Sequence, residues 1–209
     1  MKLEFKADLL WNTQFLKEEL LLNPIKQIIT LKKQGLALLL LSVILTFSLP
    51  SKADMTNEQF AYEIKGCVDE LYYDTNKYPT SKQIPIELII AQAAHESAWG
   101  KSRFAVEGNN IFGVRTWNEN DLQIKAKGAP DAPWGLKVYN NWCESIEHYF
   151  HILDTLPMYA QFRDELEFQN TIAKQSDPIN LTLYLAPWSE QGPKYVRLLQ
   201  DIMDRKSVV

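Results

Sequence analysis

The sequence predicts an α+β fold that is mainly α, with a small β-hairpin lobe inserted between helices. The chain has 209 residues, of which 46% are hydrophobic, so it can bury a substantial core. Between residues 57 and 204, apolar side chains mostly recur at spacings of three and four, as they do on one face of a helix. Residues 111–139 break this pattern, because apolar residues there are mixed with Gly, Pro, Asn and Asp, as in short strands and loops.

The amino-terminal part has the pattern of a secretory leader. Residues 36–49 are uncharged and apolar, two lysines precede them, and Ser51-Lys52-Ala53 forms a small-x-small cleavage pattern. The run is shorter than the ~20 apolar residues that cross a bilayer, which favours a cleaved signal over a permanent anchor. An uncleaved anchor stays the alternative, and the long stretch before the run indicates an extended leader or a later start. We therefore expect a leader over residues 1–53 and an exported domain over residues 54–209.

Three helices are predicted before the β lobe. Thr56-Asn-Glu-Gln59 has the form of a capping box and begins a helix that reaches about Asp74. A second helix spans Ile86 to Trp99 and is stopped by Gly100. Its apolar residues cover most of its circumference, so we expect it to be central and buried. Residues 101–106 form a short third helix.

Four helical patterns are predicted after the β lobe. Asn141 is a candidate amino-terminal cap for a helix that ends before Pro157. Further helical patterns cover residues 164–174, 179–185 and 193–204.

Charge and composition exclude several classes of partner. The net charge is -4, and the exported part carries 15 basic against 22 acidic side chains, so nothing indicates binding to a nucleic-acid backbone. His148 and His151 show no HExxH pattern, and no cysteine spacing is typical of zinc. We expect no metal and no cofactor. Export permits a disulfide between Cys67 and Cys143, but two buried free thiols fit the sequence equally well.

Glu96 is the strongest candidate for a catalytic residue. It lies near the carboxyl end of the apolar second helix, beside Trp99 and before the Gly100 turn. Partly dry surroundings would raise the pKa of its carboxyl toward a value that suits a general acid. The alternative is an ordinary solvated or capping glutamate.

The stretch AQAAHESAWGKSRFAVEGNNIFGV, residues 91–114, resembles the family-73 glucosaminidase signature AQxxxESxWGxSxxA followed by NN(I/L)FG. Two later segments resemble the Bax-like branch of that family. LDTLPMYAQFR, residues 153–163, is similar to its LNTxPxYxxFR stretch, and WSEQG with Tyr195 is similar to its YSERGxxY segment. The resemblance covers most of residues 81–204.

This resemblance implies a lysozyme-like fold and a glycoside hydrolase of the endo-β-N-acetylglucosaminidase type. The predicted leader indicates that such an enzyme would act in the periplasm. The substrate would be peptidoglycan, cut at the β-1,4 bond after N-acetylglucosamine, with Glu96 as the general acid. A lytic transglycosylase or muramidase is one alternative, although the Gly-Leu-Met-Gln-like block of those enzymes is absent. A non-catalytic peptidoglycan-binding protein on the same fold is the other.

The second carboxylate is less well indicated. The resemblance implies a base or stabilising acid in the β lobe, which offers Glu119, Asp121 and Asp131. We rank Glu119 first. The N-acetyl group of the substrate could also take this role without a protein nucleophile.

Substrate-binding residues are predicted on aromatic and motif positions. Aromatic rings can stack on the apolar face of a sugar, which makes several tryptophans and tyrosines candidate walls of the site. For the NNxFG block the sequence favours a structural role over sugar contact. Family members carry a Tyr where this chain has Trp188, so either Tyr184 or Tyr195 supplies the phenol or the chemistry differs. The predicted contacts are Trp99, Asn110, Phe112, Trp188 and Tyr195.

Overall fold

The computed structural model describes residues 54–204. These residues form a mainly helical domain with one small antiparallel sheet, which confirms the predicted fold class. No helix in this range is long and apolar enough to cross a membrane. The apolar run at residues 36–49 and the cleavage after Ala53 lie outside the described residues and stay predictions.

The first two helices begin as the sequence indicates. Helix α1 spans Asn57–Tyr73 and starts at a complete capping box between Thr56 and Gln59. A 3-10 turn over Thr80–Lys82 leads to helix α2, Ile86–Ser97. Helix α2 is buried on nearly all sides and forms the centre of the core, as its apolar circumference predicts.

Helix α2 ends two residues earlier than predicted. The Ser97 hydroxyl donates to the carbonyl of Ala93 at 2.6 Å and accepts from the Gly100 amide at 2.7 Å. Ala98 and Trp99 then take the left-handed conformation, with φ of 52° and 59°. A side chain at Gly100 would collide with the Trp142 ring, since its Cβ would lie 2.7 Å from that ring. The helix therefore ends one residue after Glu96.

The β lobe has three strands where a hairpin was predicted. Helix α3, Arg103–Gly108, precedes it. Strands β1, Arg115–Thr116, and β2, Gln123–Ile124, both pair antiparallel with the central strand β3, Gly135–Lys137. The lobe lies within the predicted range of residues 111–139.

The carboxyl-terminal helices surround α2. Helix α4, Trp142–Thr155, starts at the Asn141 cap and ends before Pro157. The predicted pattern at residues 164–174 becomes two elements, and so does the one at residues 179–185. The elements after α4 are a 3-10 turn at Pro157–Tyr159, α5 at Ala160–Glu167, a π-helical segment at Phe168–Ala173, α6 at Pro178–Leu181, a 3-10 segment at Thr182–Trp188, and α7 at Pro193–Asp204.

Cys67 of α1 and Cys143 of α4 form a disulfide, which decides between the two alternatives that the sequence left open. Their Cα atoms are 5.0 Å apart, and 76 positions separate them along the chain. A cross-link over so long a loop restricts the unfolded chain strongly. It ties α1 to the helix that follows the β lobe.

Candidate active site

A groove of 580 Å³ is the candidate active site. Glu96 lines it from the end of α2, Arg115 and Trp117 line it from the β lobe, and Trp188 and Glu190 line it from the segment before α7. These five residues come from three distant parts of the sequence. The fold of the helices around α2 therefore brings the site together.

The carboxyl of Glu96 has surroundings that suit a general acid. The side chain is half-buried at the last turn of α2. Burial raises the pKa of Glu96 to about 7 from an ordinary value of 4.5, although the nearby Tyr195 hydroxyl lowers it in part. A large fraction of the carboxyl therefore keeps its proton near neutral pH, which the sequence argument for Glu96 anticipates.

Buried polar groups lie directly behind Glu96. Gln92, one turn earlier on α2, accepts a 2.8 Å hydrogen bond from the Tyr149 hydroxyl. Tyr195 of α7 is fully buried, and within residues 54–204 its hydroxyl has no hydrogen-bond partner of normal geometry. Burial keeps the pKa of Tyr195 far above its ordinary value, and the charge of Glu96 adds to this effect. Its phenol therefore stays protonated beside the carboxyl.

The backbone at Gly113 lies close to Glu96 and takes a left-handed conformation. Its φ is 67°, and a Cβ at this position would lie 3.6 Å from Oε2 of Glu96. Asn110 holds the adjoining turn, because its side-chain amide donates to the carbonyls of Val114 and Lys137, both at 2.8 Å. Its oxygen accepts from the Val114 amide at 3.0 Å. The NNxFG block thus fixes the entry to the β lobe.

The structure brings only some of the predicted substrate contacts to the groove. Phe112 and Trp188 line it, and Phe112 stacks on Tyr149 with ring centroids 4.1 Å apart. Asn110 and Tyr195 are buried and do not line the groove, so their side chains act behind its wall. Trp99 also lies away from it, because the left-handed turn directs its ring edge-on against the core ring of Phe60 at 5.9 Å.

The acids of the β lobe do not line the groove. Glu119 is exposed in the loop between β1 and β2, and Asp131 is exposed between β2 and β3. Asp121 accepts hydrogen bonds from Thr116 at 2.7 Å and from Asn118 at 3.1 Å. The Thr116 hydrogen bond and Lys137 lower the pKa of Asp121. A catalytic role of Glu119 stays a prediction.

Sequence reasoning missed several groove residues, among them Glu190, Tyr159 and Arg115. Glu190 lies in the WSEQG segment, and Tyr159 lies in the LDTLPMYAQFR stretch, but neither motif indicates which side chains face a groove. Burial raises the pKa of Tyr159 to about 12, and the charge of Glu96 contributes. Tyr159 thus places a protonated phenol at the groove, whereas Tyr184 and Tyr195 do not line it.

A larger groove of 890 Å³ lies on another face of α4, and Glu96 does not line it. Two ion pairs lie within its lining, Lys77 with Glu147 and Lys82 with Asp154. Across residues 54–204 no group of three or more His, Cys, Asp or Glu side chains is arranged to hold a metal ion. We take the smaller groove as the active site, since it holds the acid with the raised pKa.

The chain is similar to two known proteins over part of its length. A stretch of 80 residues is 32% identical to protein bax of Escherichia coli K12, covering 38% of this chain and 27% of that protein. A stretch of 133 residues is 25% identical to the peptidoglycan hydrolase FlgJ of Salmonella typhimurium, covering 54% of this chain and 40% of that protein. The match therefore spans less than half the length of either relative.

A solved structure and a family profile were also matched. The C-terminally truncated glycoside hydrolase domain of Salmonella typhimurium FlgJ superposes with a TM-score of 0.48 and 19% identity, over 74% of this chain and 99% of that one. The glucosaminidase profile, described as mannosyl-glycoprotein endo-beta-N-acetylglucosaminidase, matches residues 74–207. Because this profile covers more than half of the chain, the protein belongs to the glucosaminidase family of glycoside hydrolases.

Proposed function

We propose that the protein hydrolyses the β-1,4 bond after N-acetylglucosamine in peptidoglycan, with Glu96 as the general acid. The observation that carries the proposal is the half-buried Glu96 carboxyl, whose pKa of about 7 lets it hold a proton at the groove. Membership of the glucosaminidase family supports a glycan substrate. The relative named as a peptidoglycan hydrolase supports this particular polymer.

Glycosidic bond cleavage needs such a proton. A sugar alkoxide is a poor leaving group at neutral pH, and general-acid help of this kind supplies ~10²–10⁴ in rate. Glu96 donates its proton to the glycosidic oxygen as the bond from that oxygen to the anomeric carbon breaks. Water adds to the anomeric carbon, and its proton passes to a base.

Two carboxylates are candidates for the base. The sequence favours Glu119, and the groove favours Glu190, which lines the same 580 Å³ space as Glu96. Both carboxylates are exposed, and we favour Glu190 because it lines the groove, whereas Glu119 does not. Participation by the substrate's N-acetyl group is the third route.

The test is digestion of purified cell walls by the wild-type protein and by Glu96→Gln, followed by analysis of the released fragments. The wild type should release fragments with N-acetylglucosamine at the reducing end. Glu96→Gln should retain wall binding and lose at least ~10²-fold of activity. Glu87→Gln is a matched control, because Glu87 lies on the same helix but outside the groove lining.

The products also separate the alternatives. Anhydromuramyl ends would indicate a lytic transglycosylase, and muramic acid at the reducing end would indicate a muramidase. Binding without release would indicate a non-catalytic wall-binding protein. Near-normal turnover by Glu96→Gln would remove Glu96 from the mechanism.

Location follows from the same proposal. A hydrolase of the cell wall has to be exported, which agrees with the leader predicted over residues 1–53. Periplasmic location is a prediction. Determining the amino-terminal residue of the exported protein would test it.

A further inference from the structure

We propose that Arg115 forms a carboxylate-binding subsite in the active-site groove. This subsite would let the protein favour a glycan strand that carries carboxylates over a neutral polymer of N-acetylglucosamine. The inference rests on the proposed function for its substrate class. It concerns selectivity and adds to the cleavage chemistry assigned to Glu96.

The β lobe places Arg115 at the groove by strand alternation. Arg115 and Thr116 form β1, and Arg115 pairs with Leu136 of the central strand. Neighbouring residues of a strand point to opposite faces of the sheet. Thr116 is buried and donates to Asp121, whereas Arg115 is exposed and lines the same groove as Glu96.

An aromatic ring holds the Arg115 side chain in place. Its guanidinium carbon lies 4.2 Å from the centroid of the Trp134 ring. A guanidinium over the face of an aromatic ring gains a cation–π attraction, and its N–H groups can still bind a ligand. A held arginine also loses less conformational freedom when it binds a ligand.

Among the described residues, no acid forms an ion pair with this cation. Within residues 54–204 Arg115 forms no ion pair, whereas the nearby Arg103 pairs with Glu107 and Lys137 pairs with Asp121. Acidic side chains outnumber basic ones in this part of the chain. An arginine left unpaired in a groove that also contains two glutamates is therefore available to an external anion.

Peptidoglycan supplies such an anion and a neutral N-acetylglucosamine polymer does not. Every second sugar of the strand carries a lactyl group, whose carboxyl is either free or joined to a short peptide with carboxylates of its own. The edge of a guanidinium binds a carboxylate through two parallel N–H···O hydrogen bonds. The group that Arg115 would bind is thus a carboxylate, which either the lactyl group or the peptide can provide.

The test measures binding in the Glu96→Gln protein, so that no ligand is cleaved. The ligands are soluble peptidoglycan fragments with their peptides, the same fragments after an amidase has removed the peptides, and neutral chito-oligosaccharides. The variants are Arg115→Gln, Arg115→Lys and the control Arg197→Gln, which removes an exposed charge of α7 outside the groove lining.

Arg115→Gln should weaken binding of at least one carboxylate-bearing ligand about tenfold and leave chito-oligosaccharide binding unchanged. Arg115→Lys should bind these ligands with an affinity between those of the unchanged protein and Arg115→Gln, because lysine keeps the charge but lacks the planar guanidinium. Arg197→Gln should bind all three ligands normally. A loss confined to peptide-bearing fragments identifies the peptide as the source, and a loss on peptide-free fragments identifies the lactyl group.

Two results would overturn the inference. Equal weakening for all three ligands would show a structural role, and no weakening for any would show that Arg115 contacts no carboxylate. If the Glu96→Gln protein bound neither peptidoglycan ligand, the proposed function itself would be wrong, which separates the two failures.

Discussion

The end of α2 and the loop between β1 and β2 both carry acids, and the surroundings shift the pKa values of these acids in opposite directions. At the end of α2, burial raises the pKa of Glu96 to about 7. In the loop, the Thr116 hydroxyl and Lys137 lower the pKa of Asp121. The neighbouring Glu119 is exposed outside the groove lining.

This difference shows that surroundings, and not residue type, decide which acid can donate a proton. Desolvation favours the neutral form of a carboxyl, and hydrogen bonds to the anion favour the charged form. Glu96 thus suits proton donation, whereas Asp121 holds the loop together through its charge. The comparison can be tested with matched substitutions in the two regions.

The largest expected effect is the difference in hydrolysis rate between substitutions at Glu190 and at Glu119. Glu190→Gln should lower the rate of wall hydrolysis by ~10²-fold, because the attacking water loses its base. Glu119→Gln should stay within about twofold of the wild type, as is usual for an exposed side chain outside the site. The measurement is the initial rate on purified peptidoglycan, with circular dichroism as a check on folding.

The stereochemistry of the product gives an independent control. A water activated by Glu190 inverts the anomeric carbon, whereas participation of the acetamido group retains its configuration. Retention, together with normal activity of Glu190→Gln, would remove Glu190 from the mechanism. A larger loss of activity for Glu119→Gln than for Glu190→Gln would show that Glu119 of the β lobe is the base.

The pH dependence of stability should distinguish the two regions by its sign. Between pH 4.5 and about 7, folded Glu96 keeps a proton that the unfolded chain releases. The free energy of unfolding should therefore fall as pH rises through this window, by on the order of 2 kcal/mol relative to Glu96→Gln. Urea unfolding of both proteins at pH 5 and pH 8 measures this difference.

Asp121→Asn provides the opposite case. The lowered pKa of Asp121 stabilises the folded protein at pH values above its ordinary 3.8, and this contribution is lost as pH falls below that value. The wild type should thus lose its advantage over Asp121→Asn only in acid. A Glu96 effect with the same sign as the Asp121 effect would contradict the assigned burial of Glu96.

Local sequence patterns predicted much of the fold. The Thr56 capping box, the buried circumference of α2 and the Asn141 cap depend on residues within a few positions of each other, so the chain shows them directly. The end of α2 was placed too late, because the Ser97 side chain competes for backbone groups that the helix would otherwise use. After this earlier helix end, the partly buried Trp99 packs against the core ring of Phe60.

The candidate site was predictable only in part. Glu96 stands in a specific motif and in an apolar helix, so both its identity and its surroundings could be inferred. Tyr159, Arg115 and Glu190 reach the groove through the packing of separate segments, and no local pattern reports such packing. The second carboxylate was therefore sought among the acids of the β lobe, and Glu119 was ranked first.

The smallest predicted effect concerns Gly113, where the β lobe meets the end of α2. Gly113→Ala forces a side chain into a left-handed conformation, which costs about 1 kcal/mol. Its methyl group would lie 3.6 Å from Oε2 of Glu96, in ordinary contact, and would add apolar surface beside the carboxyl. We expect a lower free energy of unfolding, measured in urea, and a several-fold loss of hydrolysis.

Gly128→Ala is the matched control, because this glycine lies in the same lobe, has no positive φ, and has no heavy atom within 4 Å of an added Cβ. It should change neither activity nor stability by more than about 0.5 kcal/mol. Added apolar surface beside Glu96 also favours its neutral form, so the basic limb of the pH–rate profile should move to higher pH in Gly113→Ala. If Gly113→Ala lost stability but kept the basic limb of its pH–rate profile unchanged, Gly113 would be needed only for the conformation of the turn.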